Sequence, residues 1–451
     1  MVEQQRMSPR KRVAVVGAGL AGLAAGMELK ELGHHVELFE RSRLLGGRAT
    51  SFEIDGIEVD NGQHVFLFCC KEFLRFAQRA GFENELYLQP RFDALVLARN
   101  GTRGSLRAQP LPPPLHLAPS FVTYPHLSPG GKLRIANALA RVVASAPSAA
   151  SKGATQTTFE QWLQATGQTA ETRRAFWDPF FIPALNAPFD EVSVDDALFT
   201  LRTAFLSSIT AARFGYAKLP LAHLAARAAA RLDAVHLSTG VLAVQAAGSG
   251  VILSLPKGDS QSFDAIVLAI PPRSVGKLLG DPQRYGVEHL DTYRPYPILD
   301  VHLWHDRGSA GFDFAAALES PLQWIFEKKP GYLSCSFSAA NEYMALPTAE
   351  LEALAWREVQ AFVAPMRDAK LIRSAVTRNP EATWLPHVGS ARTATATANP
   401  SIAIAGGWTD TGWPDTMESA VRSGIEAARC LGGAASYAEP AAADHTELAR
   451  T

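Results

Sequence analysis

The order of apolar and polar positions changes period several times along this chain. Residues 12–17, Arg-Val-Ala-Val-Val-Gly, form a short apolar run bounded by basic residues and ended by glycine, the pattern of a strand buried on both faces. Residues 20–32 carry apolar positions at helical spacing and close at Gly33, and residues 36–40 return to strand character, so the chain opens as a βαβ unit. Helical periodicity dominates residues 159–231, interrupted at Pro179, Pro183 and Pro188. Strand signals return at 235–244, 251–255 and 263–270, the last ended by Pro271 and Pro272, which no helix or central strand continues. Residues 298–338 predict short aromatic-rich strands and 349–364 a helix. Residues 401–406 predict another buried strand, with a helix after it over 416–430.

A length of 451 residues suggests two or three domains, and 47% hydrophobic against 19% charged residues excludes disorder as the main state. A net charge of -1 argues against a nucleic-acid partner. Cys69, Cys70, Cys335 and Cys430 show no CxxC spacing, so neither a disulfide framework nor a metal site is expected. The N-terminal segment lacks the apolar core of a signal peptide, and no apolar window reaches 18 residues, so a cytoplasmic protein is expected. The 66 residues between Asp93 and Glu160 contain no acid, yet carry Arg99, Arg103, Arg107, Lys132, Arg134, Arg141 and Lys152 beside a Pro-rich, partly apolar run. That combination suits anionic headgroups, so peripheral seating on the inner face of the cytoplasmic membrane is expected.

The chemistry begins where the first strand meets the first helix. Gly17-Ala18-Gly19-Leu20-Ala21-Gly22 fits G-x-G-x-x-G: Gly17 for the tight turn, Gly19 for close approach of a pyrophosphate, Gly22 for helix–strand packing. Glu40 ends the second strand, where a carboxylate can accept the hydroxyls of an adenosine ribose. The expected fold is therefore α/β. A discontinuous Rossmann-type cofactor domain is drawn from 11–94, 215–285 and 385–432, and a mixed-sheet and helical substrate domain is inserted as 95–214 and 286–384. Residues 433–451 are expected to be a flexible tail.

Glu40 is followed by Gly46-Gly47-Arg48, a second glycine pair with a cation for phosphates. This run resembles the flavin-dependent amine oxidase and phytoene desaturase superfamily, and the resemblance implies FAD as cofactor. It also implies roles for further segments. Asp60-Asn61-Gly62-Gln63-His64 would bring His64 to the active site, and Val241 would meet adenine from a strand. The turn Gly406-Gly407 and the helix opening at Thr416 and Met417 would face the flavin, with Gly407 standing where the superfamily usually has an acid. Asp410 or water is expected to compensate. Phe176–Asn186 and Trp408–Pro414 are similar to the squalene-associated group, the hydroxysqualene dehydroxylases. That similarity implies reductive removal of the allylic hydroxyl of a long-chain isoprenoid, hydroxysqualene, with His64 and Asp410 as candidate catalytic residues. A polyprene desaturase is the next reading, ahead of an amine oxidase or a non-catalytic lipid carrier.

Overall fold

The computed structural model describes residues 9–145 and 155–432, so the tail expected over 433–451 lies outside the described residues. Its cofactor-type layer is a five-stranded parallel sheet in the order Ala234–His236, His35–Phe39, Arg12–Val16, Ala265–Leu268, Ile402–Ile404. Residues 13–16 and Ala265–Leu268, in the middle of this sheet, are wholly apolar because both faces are covered. On one side lie the helices Leu20–Glu31, Lys71–Arg79, Leu221–Ala229 and Met417–Gly432. On the other lie a three-stranded antiparallel sheet and the helix Pro272–Leu279.

Two expected strands are divided in the structure. The apolar run 263–270 splits at Asp264: Ser260–Phe263 joins the antiparallel sheet and Ala265–Leu268 the parallel one. Asp264 takes the backbone N–H of Arg12 on its carboxylate at 2.7 Å and donates its own N–H to the Arg12 carbonyl at 2.9 Å. The run 235–244 splits as well, into Ala234–His236 and Ala243–Ala247, because the chain turns at Ser238, whose φ is 53°. Helical periodicity over 159–231 likewise hides the strand Phe214–Ala217, which pairs with Val65–Leu67 and Leu86–Leu88.

The second layer is a seven-stranded mixed sheet in the order Leu371–Pro386, Tyr293–His305, Tyr332–Ser338, Trp324–Lys329, Phe314–Ala317, Asp93–Leu97, Arg103–Arg107. One face packs on the helix Thr348–Phe362. The other meets an aromatic core with the helices Phe159–Ala165, Asp178–Leu185 and Val194–Leu201. Asn186 ends the second of these helices at φ 52°, a conformation that Asn tolerates better than most residues. Its amide then ties helix to sheet, donating to the Tyr296 carbonyl at 3.2 Å and to Thr383 Oγ1 at 3.0 Å, and accepting the Ala339 N–H at 2.7 Å.

Candidate cofactor and substrate site

A cavity of about 880 Å³ runs between the two layers. Two helices begin on it, Leu20–Glu31 and Met417–Gly432, and they pack closely because Gly424 lies against the first turn of the other helix. A Cβ on Gly424 would come within 2.1 Å of the Ala21 carbonyl. Gly19 offers no side chain to cap the first helix and there is no acid in its first turn, so its N–H groups and dipole remain for an anion.

The glycine motif has the geometry its spacing suggests. Gly17 has φ 105°, and a Cβ there would lie 2.3 Å from the Ala269 carbonyl oxygen. A Cβ on Gly22 would lie 1.9 Å from the Gly17 carbonyl oxygen, whereas one on Gly19 would meet nothing within 4 Å. Gly19 therefore borders open cavity, and a phosphate can approach its backbone. Gly47 sits over Gly19, 3.0 Å from its Cα by the same measure. Glu40 lines the cavity, with Oε2 accepting the Ala18 N–H and Oε1 the Ser42 N–H, each at 2.8 Å. Each oxygen keeps a lone pair for a ribose hydroxyl. Val241 lines the cavity too, but from the link between two strands rather than from a strand.

Packing gives two of the expected residues protein partners of their own. Arg48 lines the cavity, and its guanidinium also grips Asp415 bidentately at 2.6 and 2.9 Å and donates to the Ala382 carbonyl at 2.8 Å. Asp410, expected to compensate for Gly407, is exposed and outside the cavity wall, its N–H bound to the Thr393 carbonyl at 2.9 Å. Gly407, Thr416 and Met417 do line the cavity, and so does buried Asp415, which residue types and spacing did not single out. Its position in Pro414-Asp415-Thr416, just ahead of a helix, was the available signal.

His64 lines the same cavity. Its Nε2 is buried without a hydrogen-bond partner. Burial lowers its pKa and the charges of Lys328 and Arg48 add to the lowering, while Asp60 and a hydrogen bond to the Arg48 backbone oppose it. Behind this wall stands a second missed residue, Asp300. Its Oδ1 accepts the Ser336 hydroxyl and, at 3.2 Å, the Gln63 N–H, while Oδ2 has no partner and lies 2.8 Å from where a Cβ on Gly62 would be. Burial pushes its pKa up to about 6, against the pull of the two hydrogen bonds.

Part of the lining is aromatic, with Phe180, Phe199, Phe205, Phe214, Trp324 and Phe326. Phe214 anchors this cluster, 4.7 Å from Phe314 and 5.4 Å from Trp324 between ring centroids. Cys69 and Cys70 are free thiols on the cavity wall.

Comparison with known proteins agrees with this geometry. A family model described as flavin containing amine oxidoreductase matches residues 20–432. The chain is 27% identical to a hydroxysqualene dehydroxylase from Zymomonas mobilis, covering 92% of this chain and 97% of that one. It is 28% identical to another from Rhodopseudomonas palustris, covering 93% and 97%. A zeta-carotene desaturase from Arabidopsis thaliana is 24% identical over 93% of this chain and 85% of its own. Among solved structures, putrescine oxidase bound to putrescine superposes with a TM-score of 0.74 at 17% identity, covering 93% of this chain and 98% of the other. A dinucleotide fits the cradle because the bare Cα of Gly19 borders the cavity and Glu40 stands beside it. The chain belongs to the flavin containing amine oxidoreductase family and is an oxidoreductase whose cofactor is FAD.

Proposed function

We propose that this chain reductively removes the allylic hydroxyl of hydroxysqualene, giving squalene and water. The observation that carries the reading is the aromatic lobe continuing the glycine-lined cradle. A long hydrocarbon buried there is stabilised by about 25 cal/mol for each Å² taken from water. Similarity to hydroxysqualene dehydroxylases over nearly the whole of both chains supports the same substrate. FAD, when bound and reduced, supplies the hydride. The chain's own residues must hold the hydrocarbon, exclude water and protonate the departing hydroxide, which is a poor leaving group. The carbon–oxygen bond breaks as the hydride arrives, and the proton completes water. His64 is the proposed donor, since its Nε2 is unpartnered and burial makes the charged ring give up its proton readily.

A membrane seat belongs to the same reading. Leu111, Leu115, Val122, Leu133 and Val143 are exposed within the acid-free stretch, beside exposed Arg103, Arg134 and Arg141. Among the described residues no helix is long and apolar enough to cross a membrane, so the seat would be interfacial.

Similarity to carotene desaturases over 93% of the chain supports a second reading, desaturation of a polyprene with the flavin accepting hydride. Anaerobic reduction of the flavoprotein by dithionite, followed by hydroxysqualene, separates the two. Flavin reoxidation with one squalene formed per flavin, identified by mass, is expected. If the reduced protein is inert and the oxidised protein instead converts a polyprene to a product two hydrogens lighter, the chain is a desaturase. If neither reacts, it is a carrier.

A further inference from the structure

Position 407 has no room for a side chain, because the Asp415 carboxylate fills the space beside it. A Cβ built on Gly407 would lie 2.0 Å from Asp415 Oδ1 and 3.1 Å from the Thr416 carbonyl oxygen. The carboxylate thus occupies the volume into which a residue at 407 would grow. It is held there tightly. Oδ2 accepts from Arg48 at 2.6 Å and from the Trp384 N–H at 2.8 Å, and Oδ1 accepts from Arg48 at 2.9 Å. Only 2% of the side chain is exposed, yet it belongs to the cavity wall with Gly406, Gly407, Thr416 and Met417. A carboxylate has about four acceptor sites. Three are engaged, and the remaining one is on Oδ1, the atom nearest Gly407.

We propose that Asp415 is the acidic residue of the flavin end of the cradle, accepting a ribityl hydroxyl on Oδ1, and that Gly407 is bare because it must admit this carboxylate. Arg48 is the positioning residue. Its fork fixes the carboxylate plane and offsets the cost of burying the charge. Asp415, rather than Asp410, then supplies the acid that position 407 lacks. The function is carried from the far side of the turn, and the two positions can change only together. This assignment rests on FAD binding alone and is independent of which substrate is reduced.

The coupling makes a double exchange the decisive experiment, read by titrating apoprotein with FAD through quenching of flavin fluorescence and by the apoprotein melting temperature. Asp415→Ala is expected to weaken FAD about 10–100-fold, the range for losing a hydrogen bond to a charged group. Asp415→Asn, which keeps the shape and an acceptor oxygen but frees Arg48, should fall between Asp415→Ala and wild type. Gly407→Asp alone should abolish FAD binding, since two carboxylates then compete for one volume. Gly407→Asp combined with Asp415→Ala should bind FAD more tightly than either single variant, within about tenfold of wild type. If Asp415→Ala and Asp415→Asn melt earlier as apoproteins but bind FAD like wild type, Asp415 is only a structural tie and the proposal fails. It fails equally if the double variant is the weakest binder of the set.

Discussion

Arg202 donates to the Val142 carbonyl at 2.9 Å and to Ser145 Oγ at 2.7 Å, joining the end of the exposed helix Pro129–Ala144 to the segment Arg202–Leu206. Thr203, Ala204 and Phe205 of that segment line the cavity. The exposed apolar surface and the aromatic part of the cavity wall are therefore joined through Arg202.

Membrane association can be tested on that surface without disturbing the core. Val122 and Leu133 are 68% and 71% exposed, so Val122→Asp and Leu133→Asp should leave the melting temperature unchanged. Each exchanges an apolar contact for a like charge against anionic lipid, and vesicle co-sedimentation should drop about tenfold for the pair. Binding should also weaken with salt. Equal sedimentation of wild type and variant on anionic vesicles would remove this surface from membrane contact.

The glycines of the cradle should separate folding from cofactor binding. At Gly19 a new side chain meets no protein atom within 4 Å and points into the cavity, so Gly19→Val should fold, melt near wild type and purify colourless. At Gly17 the φ of 105° and the Ala269 carbonyl at 2.3 Å oppose any side chain. Gly17→Ala should lose roughly 1–3 kcal/mol from backbone strain and more from the clash. Folded, fully yellow Gly19→Val would contradict the assignment of this turn to the pyrophosphate.

These two glycines mark how far the sequence could be read. The cradle from Gly17 through Glu40 to Gly47 is legible because its chemistry is local: turn, helix start, acid and second glycine pair follow one another along a single βαβ stretch. Asp415 was not legible, because its partner Arg48 is 367 positions away and only packing joins them. Asp410 and Asp415, close together in one loop, look equivalent in the sequence, and the fold exposes one and buries the other. Asp300 was hidden for a similar reason, reaching Gln63 across 237 positions from the middle of a strand whose apolar pattern reads as core. The divided strands at Ser238 and Asp264 are local failures, where one polar residue in an apolar run marks a change of sheet.

Asp300 should leave a signature in stability against pH. Its folded pKa of about 6 lies above the usual carboxylate value of 3.8, chiefly through burial, so the folded state holds the proton more tightly than the unfolded state. Stability should fall as pH rises from about 4 to about 6 and stay lower above that, by about 3 kcal/mol from this group. Asp300→Asn removes the charge and keeps the shape. Its melting temperature relative to wild type should be more favourable at pH 8 than at pH 4.5. A difference that does not change with pH would show that the carboxyl titrates alike in both states.

His64 predicts the pH dependence of the reaction itself. Burial holds its pKa below 6.5, so at pH 7 and above only a small fraction of the rings carries the proton to be donated. Single-turnover reoxidation of reduced protein by hydroxysqualene should accelerate as pH falls through neutrality, levelling once the ring is charged. The same depressed pKa means the unfolded chain binds protons more readily, so the fold loses stability as pH drops below about 6.5, and rates must be taken where the protein remains native. His64→Gln keeps a polar group in the wall and should keep bound FAD. It should lose about 10²–10⁴-fold in rate, the usual contribution of a positioned acid, and the remaining rate should no longer rise with acidity. If the rise survives in His64→Gln and disappears in Asp300→Asn, the proton comes from the buried carboxyl through Ser336, and the histidine is part of the wall.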